Sequence, residues 1–248
     1  ELWPKAKAAV QRALELDPTL AEAHACQGWI SMYSDWDWAR AEYHFLRAID
    51  LNPGYMEAHL WYSQYLGHTA ENSEAAIRQL RLAHDVDPLS PMVIAQLASH
   101  LIVSGRVEEG LAEADRALEL APGHVNAHIH KAWALRFLSR HQEAIELLEP
   151  VRTVHHWVLG ELAVTYAEAG RREEAQAILD EGELSAAWPV LAAAVCAALG
   201  LVNKAFELMD RGYQTRSIGM LVLKWWPNLD PLRDDPRFED LVRRVGLV

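Results

Sequence analysis

Residues Pro91 to Pro122 read PMVIAQLASHLIVSGRVEEGLAEADRALELAP. Two amphipathic helical runs are joined by a Ser104-Gly105-Arg106 turn and closed by a proline. Ile94, Leu97, Ala98 and Leu101 recur at helical spacing in the first run, and Gly110, Ala114 and Ala117 in the second. Small residues recur where two helices must approach closely, and larger apolar residues fill the gap. A single pair cannot bury both apolar faces, so it requires copies of itself on either side.

Those copies are present. The closing prolines are Pro18, Pro53, Pro88 and Pro122, spaced 35, 35 and 34 residues apart. Ala41, Phe45 and Ala48 precede Pro53 at the offsets that Ala76, Leu80 and Ala83 hold before Pro88, and Gly110, Ala114 and Ala117 before Pro122. Gly110 costs roughly 1 kcal/mol of helix propensity relative to alanine, tolerable only where two helices touch. Proline drives the preceding residue out of helical conformation, so a helix must end before each one, and Asp17, Asn52 and Asp87 suit the turn.

One extra residue in the turn that carries Asp35-Trp36-Asp37-Trp38, and a second longer turn over 69–73, account for the 35-residue periods. After Pro150 the units shorten. Ala6, Val10 and Ala13 precede Pro18 with no first helix before them, so the chain is expected to open inside a repeat, with an N-terminal portion missing. The expected organisation is a solenoid over residues 1–218, with about six helix hairpins after a partial repeat, and a C-terminal cap over 219–248. Within the cap, Leu223 to Pro227 is expected to be extended. Asp235 should cap a helix with Pro236 in its first turn, Phe238, Leu241, Val242 and Val245 as its apolar stripe, and Gly246 as its stop.

Composition narrows the function. The chain has 248 residues, 51% of them hydrophobic, and a formal net charge of −12. No basic stripe is available to neutralise phosphates, which excludes direct nucleic-acid binding. Cys26 and Cys196 lie far apart in apolar helical runs and are expected to be buried free thiols. No signal peptide is expected, and the uncharged run over 184–203 contains Pro189 and Gly200 and fits the repeat register. It is therefore expected to be a buried helix and not a membrane span, in a cytoplasmic protein.

The spacing and the matched small residues resemble the tetratricopeptide-repeat family, up to about Gly212. The resemblance implies an all-α fold, a right-handed α-α superhelix of helix hairpins. A narrower resemblance rests on Ser34-Asp35-Trp36-Asp37-Trp38-Ala39, Ala58-His59-Leu60-Trp61-Tyr62 and the stretch from Leu223 to Leu247. These are similar to the C-terminal repeat regions of bacterial multidomain signalling proteins, where such repeats follow a winged-helix, nucleotide cyclase or serine/threonine kinase domain. No phosphate-binding glycine loop, kinase catalytic loop or basic recognition helix occurs in this sequence.

Twelve histidines raise the question of a metal. His124, His128 and His130 form the densest cluster, yet His128 occupies the repeat position of His24 and His59, a packing position in the family. No cysteine or carboxylate completes a tetrahedral set there or at His155-His156, so neither metal nor cofactor is expected. Glu108-Glu109 and Glu173-Glu174 start second helices, where they favour the positive dipole end. No catalytic constellation is expected.

The ten tryptophans carry more information. In the family the first helices line the concave surface. The positions that face into it correspond here to Trp29, Met32, Tyr33, Leu60, Gln64, His68, Ile102, Trp133, Arg136 and Phe137. An aromatic, apolar groove with one arginine implies a non-catalytic interaction module that docks a partner's peptide or helix. Trp29 and Trp133 would then be partly exposed, with Arg136 anchoring a partner carboxylate. The alternative is a small-ligand sensor, an aromatic pocket closed by the C-terminal segment. A groove open along its length favours the first reading and an enclosed apolar pocket the second.

Overall fold

The computed structural model describes residues 2–69 and 73–247. Helix α1 (Leu2–Leu16) is followed by α2 (Ala21–Ile30) paired with α3 (Trp38–Leu51), and α4 (Met56–Thr69) with α5 (Ser73–Val86). Next come α6 (Pro91–Val103) with α7 (Val107–Leu120), α8 (Val125–Phe137) with α9 (His141–Leu148), and α10 (His156–Glu168) with α11 (Arg172–Asp180). After the short α12 (Glu183–Ala187), α13 (Pro189–Ala198) pairs with α14 (Val202–Gln214). Two 3₁₀ turns, Ile218–Val222 and Pro227–Leu232, lead into α15 (Pro236–Val245). There is no strand among the described residues. The fold is an all-α superhelix.

Helices α1, α3, α5 and α7 each stop two residues before a repeat proline. The chain turns there through side-chain acceptors: Asp17 takes the Thr19 N–H at 2.8 Å, Asn52 the Gly54 N–H at 3.1 Å and Asp87 the Leu89 N–H at 3.1 Å. The repeat histidines have a related task. His24 Nε2 donates to the Pro18 carbonyl at 3.0 Å and His59 Nε2 to the Pro53 carbonyl at 2.9 Å, tying each first helix to the turn before it. His128 departs from this and bonds the His124 carbonyl through Nδ1 at 3.1 Å.

The extra residue expected at residues 35–38 is absorbed by a π-helical turn, Ser31–Asp35, that prolongs α2 and ends on Trp36 in the left-handed region (φ 57°). The second longer turn falls, for residues 70–72, outside the described residues. Cys196 is buried as expected, whereas Cys26, midway along α2, is only half-buried; both thiols are free.

Gly110 sits where α6 and α7 touch. A Cβ there would lie 2.5 Å from Ile102 Cγ1 and 2.8 Å from the Ala98 carbonyl oxygen. Gly110→Ala is therefore expected to destabilise the protein by about 1–3 kcal/mol despite its better helix propensity. Urea denaturation measures this, and a gain in stability would show that the helix pair can move apart at little cost.

The C-terminal segment departs from expectation between Leu223 and Pro227, which is not extended. It runs between two 3₁₀ turns, because that path drives Leu223, Trp226, Leu229 and Leu232 into the core beside Leu191 and Cys196. Helix α15 starts as read from the sequence: Asp235 accepts the Arg237 N–H at 3.0 Å, with Pro236 following it. Phe238, Leu241 and Val245 are buried, and Gly246 (φ 80°) ends the helix. Arg244 reaches Asp210 on α14 at 2.9 Å.

The end of the chain also reaches the beginning of the superhelix. Trp38 Nε1 donates to the Val245 carbonyl at 3.0 Å, and Arg216 donates to the Ser34 carbonyl at 3.0 Å while lying over the Trp36 ring. The turn after α2 and the end of α14 are thus clasped together across the solenoid.

Candidate recognition site: an aromatic chamber on the concave face

First helices of five consecutive pairs and the segment after α14 line a partly open chamber of about 500 Å³. Trp29 and Tyr33 come from α2 and its π turn, Gln64 and His68 from α4, Gln96 and His100 from α6. Ile129, His130 and Trp133 come from α8, Trp157 from α10, and Trp188 from the residue before α13. Leu221, Val222, Trp225 and Trp226 of the C-terminal segment form the remaining wall. No Lys, Arg, Asp or Glu among the described residues lines it.

Trp225 organises the wall. Its indole N–H donates to His68 Nδ1 at 2.9 Å, its ring stacks on His100 with centroids 5.7 Å apart, and its edge meets Trp133 at 5.8 Å. His130 donates through Nδ1 to the Ala95 carbonyl at 2.7 Å and packs against Trp133. On the opposite side Trp29 lies against Tyr33 (4.1 Å) and Trp61 (5.1 Å), and the Tyr33 hydroxyl donates to Gln64 Oε1 at 3.2 Å. Among the sequence candidates, Trp29, Tyr33, Gln64, His68 and Trp133 are brought together at this chamber.

The others are not. Met32, Leu60 and Ile102 are buried beneath the concave surface: Met32 against Phe45 and Tyr62, Leu60 against Ile77 and Leu80, and Ile102 in the main core. The π turn rotates Met32 inward, and the helix pairs take up the aliphatic side chains at these positions. Trp133 is only 4% exposed, because the chain's own Trp225 covers it. Phe137 is half exposed, but lines a separate hollow beyond the C-terminal segment.

Arg136 is not an open anchor. It donates through Nη1 to Glu161 at 3.0 Å and through Nε and Nη2 to Glu168 at 2.8 and 2.5 Å. Asn228, from the C-terminal segment, donates to both oxygens of Glu161 at 2.8 and 2.9 Å. Burial pushes the Glu161 carboxyl above the usual range, with Arg136 and Asn228 opposing it. This buried knot fastens the C-terminal segment across the groove.

Sequence reasoning missed Trp225, Trp226, His100, His130 and Glu161 as parts of one arrangement. The adjacent Trp225-Trp226 pair was the available signal. Which surface it would meet depends on a return of the chain that has no local signature.

Burial pushes the His68, His100 and His130 rings down to about 3, 4 and 3, with His100 adding to the effect at His68. All three are neutral in the folded protein at neutral pH, whereas the unfolded chain takes up protons below about 6.5. The unfolded state therefore binds more protons as pH falls from about 6.5 toward 4, and stability falls with it, on the order of 1 kcal/mol per pH unit for each ring. Denaturant midpoints at pH 7 and pH 5 test this. The midpoint is expected to drop, and His100→Phe to reduce the drop.

No protein-family profile and no curated protein matches the sequence. Solved structures do. A chain of the APC/C hetero-tetramer Cut9–Hcn1 superposes with a TM-score of 0.71 at 14% identity, covering 98% of this chain and 46% of that one. A tetratricopeptide repeat protein from Parabacteroides merdae superposes with a TM-score of 0.67 at 12% identity, covering 98% of this chain and 92% of that one. YrrB, a TPR protein with an unusual peptide-binding site, gives 0.50 at 17% identity over 82% of this chain and 98% of its own. The chain spans less than half the length of the Cut9–Hcn1 chain it matches. At these identities the likeness is one of fold: the chain folds as these tetratricopeptide-repeat structures do, as an α-α superhelix of helix hairpins.

Proposed function

We propose that this chain is a non-catalytic interaction module whose recognition site is the aromatic chamber. The carrying observation is that the concave face is crossed by the C-terminal segment, leaving a compact hollow walled by tryptophan and, among the described residues, free of charged side chains. An extended peptide cannot be threaded past Trp225 and Asn228, so a partner peptide or helix would enter by inserting apolar or aromatic anchors into the hollow. Catalysis is disfavoured by the histidines themselves, whose depressed pKa values remove them as general bases at neutral pH. A second reading, a small-ligand sensor, is favoured specifically by the volume, which falls within the range of small-molecule sites (roughly 300–1,000 Å³).

The wider setting is proposed on sequence grounds: the sensory or scaffold part of a bacterial signalling or transcription-regulatory protein. Its support is the resemblance carried by residues 34–39, 58–62 and 223–247. No helix among the described residues is long and apolar enough to cross a membrane, and a cytoplasmic location is part of the same proposal.

The test is selection from a displayed random-peptide library on the wild-type chain and on Asn126→Arg, which places a charge at a half-buried position in the chamber wall. Peptides with aromatic or apolar anchors should be enriched and should lose at least about tenfold in affinity on the variant. Equal binding to both proteins would move the recognition site elsewhere.

A further inference from the structure

The chamber's polar groups say more about its occupant than its rings do. Gln64, Gln96 and Asn126 bring carboxamides to it from three successive first helices. The Tyr33 hydroxyl occupies Gln64 Oε1, which leaves that amide's NH₂ free to donate. The Gln96 carboxamide is half-buried and makes no side-chain hydrogen bond among the described residues. Among the described residues, Asn126 has only the Met92 sulfur, at 3.7 Å, as a partner for its NH₂. The same chamber is lined by the rings of Trp29, Trp133, Trp157, Trp188, Trp225 and Trp226.

From this geometry we infer, resting on the second, small-ligand reading of the chamber, that its occupant is a small, uncharged, planar heteroaromatic molecule bearing an amide-like edge. Each part of the description has its own ground. Planarity follows from the tryptophan walls, since flat rings meet such surfaces in offset-stacked or edge-to-face contact. Neutrality follows from the lining: an anion would find no cation, and an ammonium group no carboxylate, to replace its lost water. A quaternary ammonium could be held by the tryptophan faces alone, but it would offer no hydrogen bond to the carboxamides it covers. A lactam or similar edge supplies both an acceptor and a donor, which matches what a carboxamide offers. The volume of about 500 Å³ accommodates a free molecule of this kind.

The experiment uses the full chain and reads intrinsic tryptophan fluorescence and calorimetry with four probes. These are 2-quinolone (planar, neutral, lactam edge), naphthalene (planar, no hydrogen bonds), tetramethylammonium, and N-acetyltyrosinamide as a peptide-like source of an aromatic ring. We expect 2-quinolone to bind one to one and at least about fivefold more tightly than the other three, a margin of one to two neutral hydrogen bonds. Gln96→Leu should weaken 2-quinolone about fivefold and leave naphthalene unchanged. Gln64→Leu provides the same comparison should the first variant fold poorly, and the wild-type ranking needs neither. If tetramethylammonium binds best, or naphthalene matches 2-quinolone, the ligand class is overturned while the chamber remains the site. If N-acetyltyrosinamide binds best, the small-molecule assignment falls in favour of a peptide. If none of the probes binds, or Asn126→Arg leaves all of them unaffected, the chamber reading itself is wrong.

Discussion

Replacing Arg136 by methionine is expected to lower the free energy of unfolding by roughly 3–5 kcal/mol. The reason is the neighbour it abandons. Glu161 has no solvent-exposed surface, and its carboxylate is held by Arg136 and by the Asn228 amide. Without the guanidinium, a buried carboxylate must either remain charged and poorly solvated or take up a proton, and both cost free energy. Adding Glu161→Gln to the Arg136→Met chain removes the charge while leaving Asn228 an acceptor. It should restore on the order of 2 kcal/mol, a coupling that urea denaturation of the four chains of the cycle resolves. The penalty of Arg136→Met alone should also shrink as pH falls toward 5, since protonation relieves the stranded charge. Additive losses with no coupling would mean that Glu161 does not depend on Arg136.

Trp133→Ala is expected to cost about 3–5 kcal/mol of stability, as for a large buried ring anywhere in a core. Its ring lies between His130 and Trp225, with centroid distances of 4.9 and 5.8 Å, so its removal opens a void against both the solenoid and the segment that crosses it. Trp29→Ala should cost clearly less, because that ring is half-buried and keeps one face toward the chamber. Thermal and chemical denaturation of the two variants side by side would separate them. Similar small losses in both would place Trp133 on an open surface, contrary to the packing described here.

The contrast between these two tryptophans shows where local reading stops. Both occupy the same position of a first helix, and the repeat pattern treats them as equivalent. The pattern is informative about helices because helix ends, turns and helix-pair contacts are decided within some thirty-five residues. Pro53 and Asn52 stop α3 wherever the chain goes next, and Gly110 is tolerated because Ala98 and Ile102 of the same unit lie against it. The expected groove residues that proved to be core, Met32, Leu60 and Ile102, mark the limit from the other side. Periodicity locates an apolar face, but the boundary between its buried and open parts depends on how neighbouring units tilt.

Taken alone, the sequence determined the all-α repeat, the positions of the helix ends at the prolines, the cap and stop of α15, and a concentration of aromatic rings on first helices. Each is a short-range consequence of backbone sterics, side-chain capping or helical periodicity. The tertiary structure alone decided that Trp225 would cover Trp133 and that Asn228 would meet Glu161, 67 residues away. It also decided that Trp38 would donate to Val245 across 207 residues. These contacts depend on the accumulated rotation of six helix pairs, which brings the C-terminal segment back across the concave face. Small angles added over a superhelix have no signature in any one repeat, and so a groove in the sequence became an aromatic chamber partly covered by the C-terminal segment in the fold.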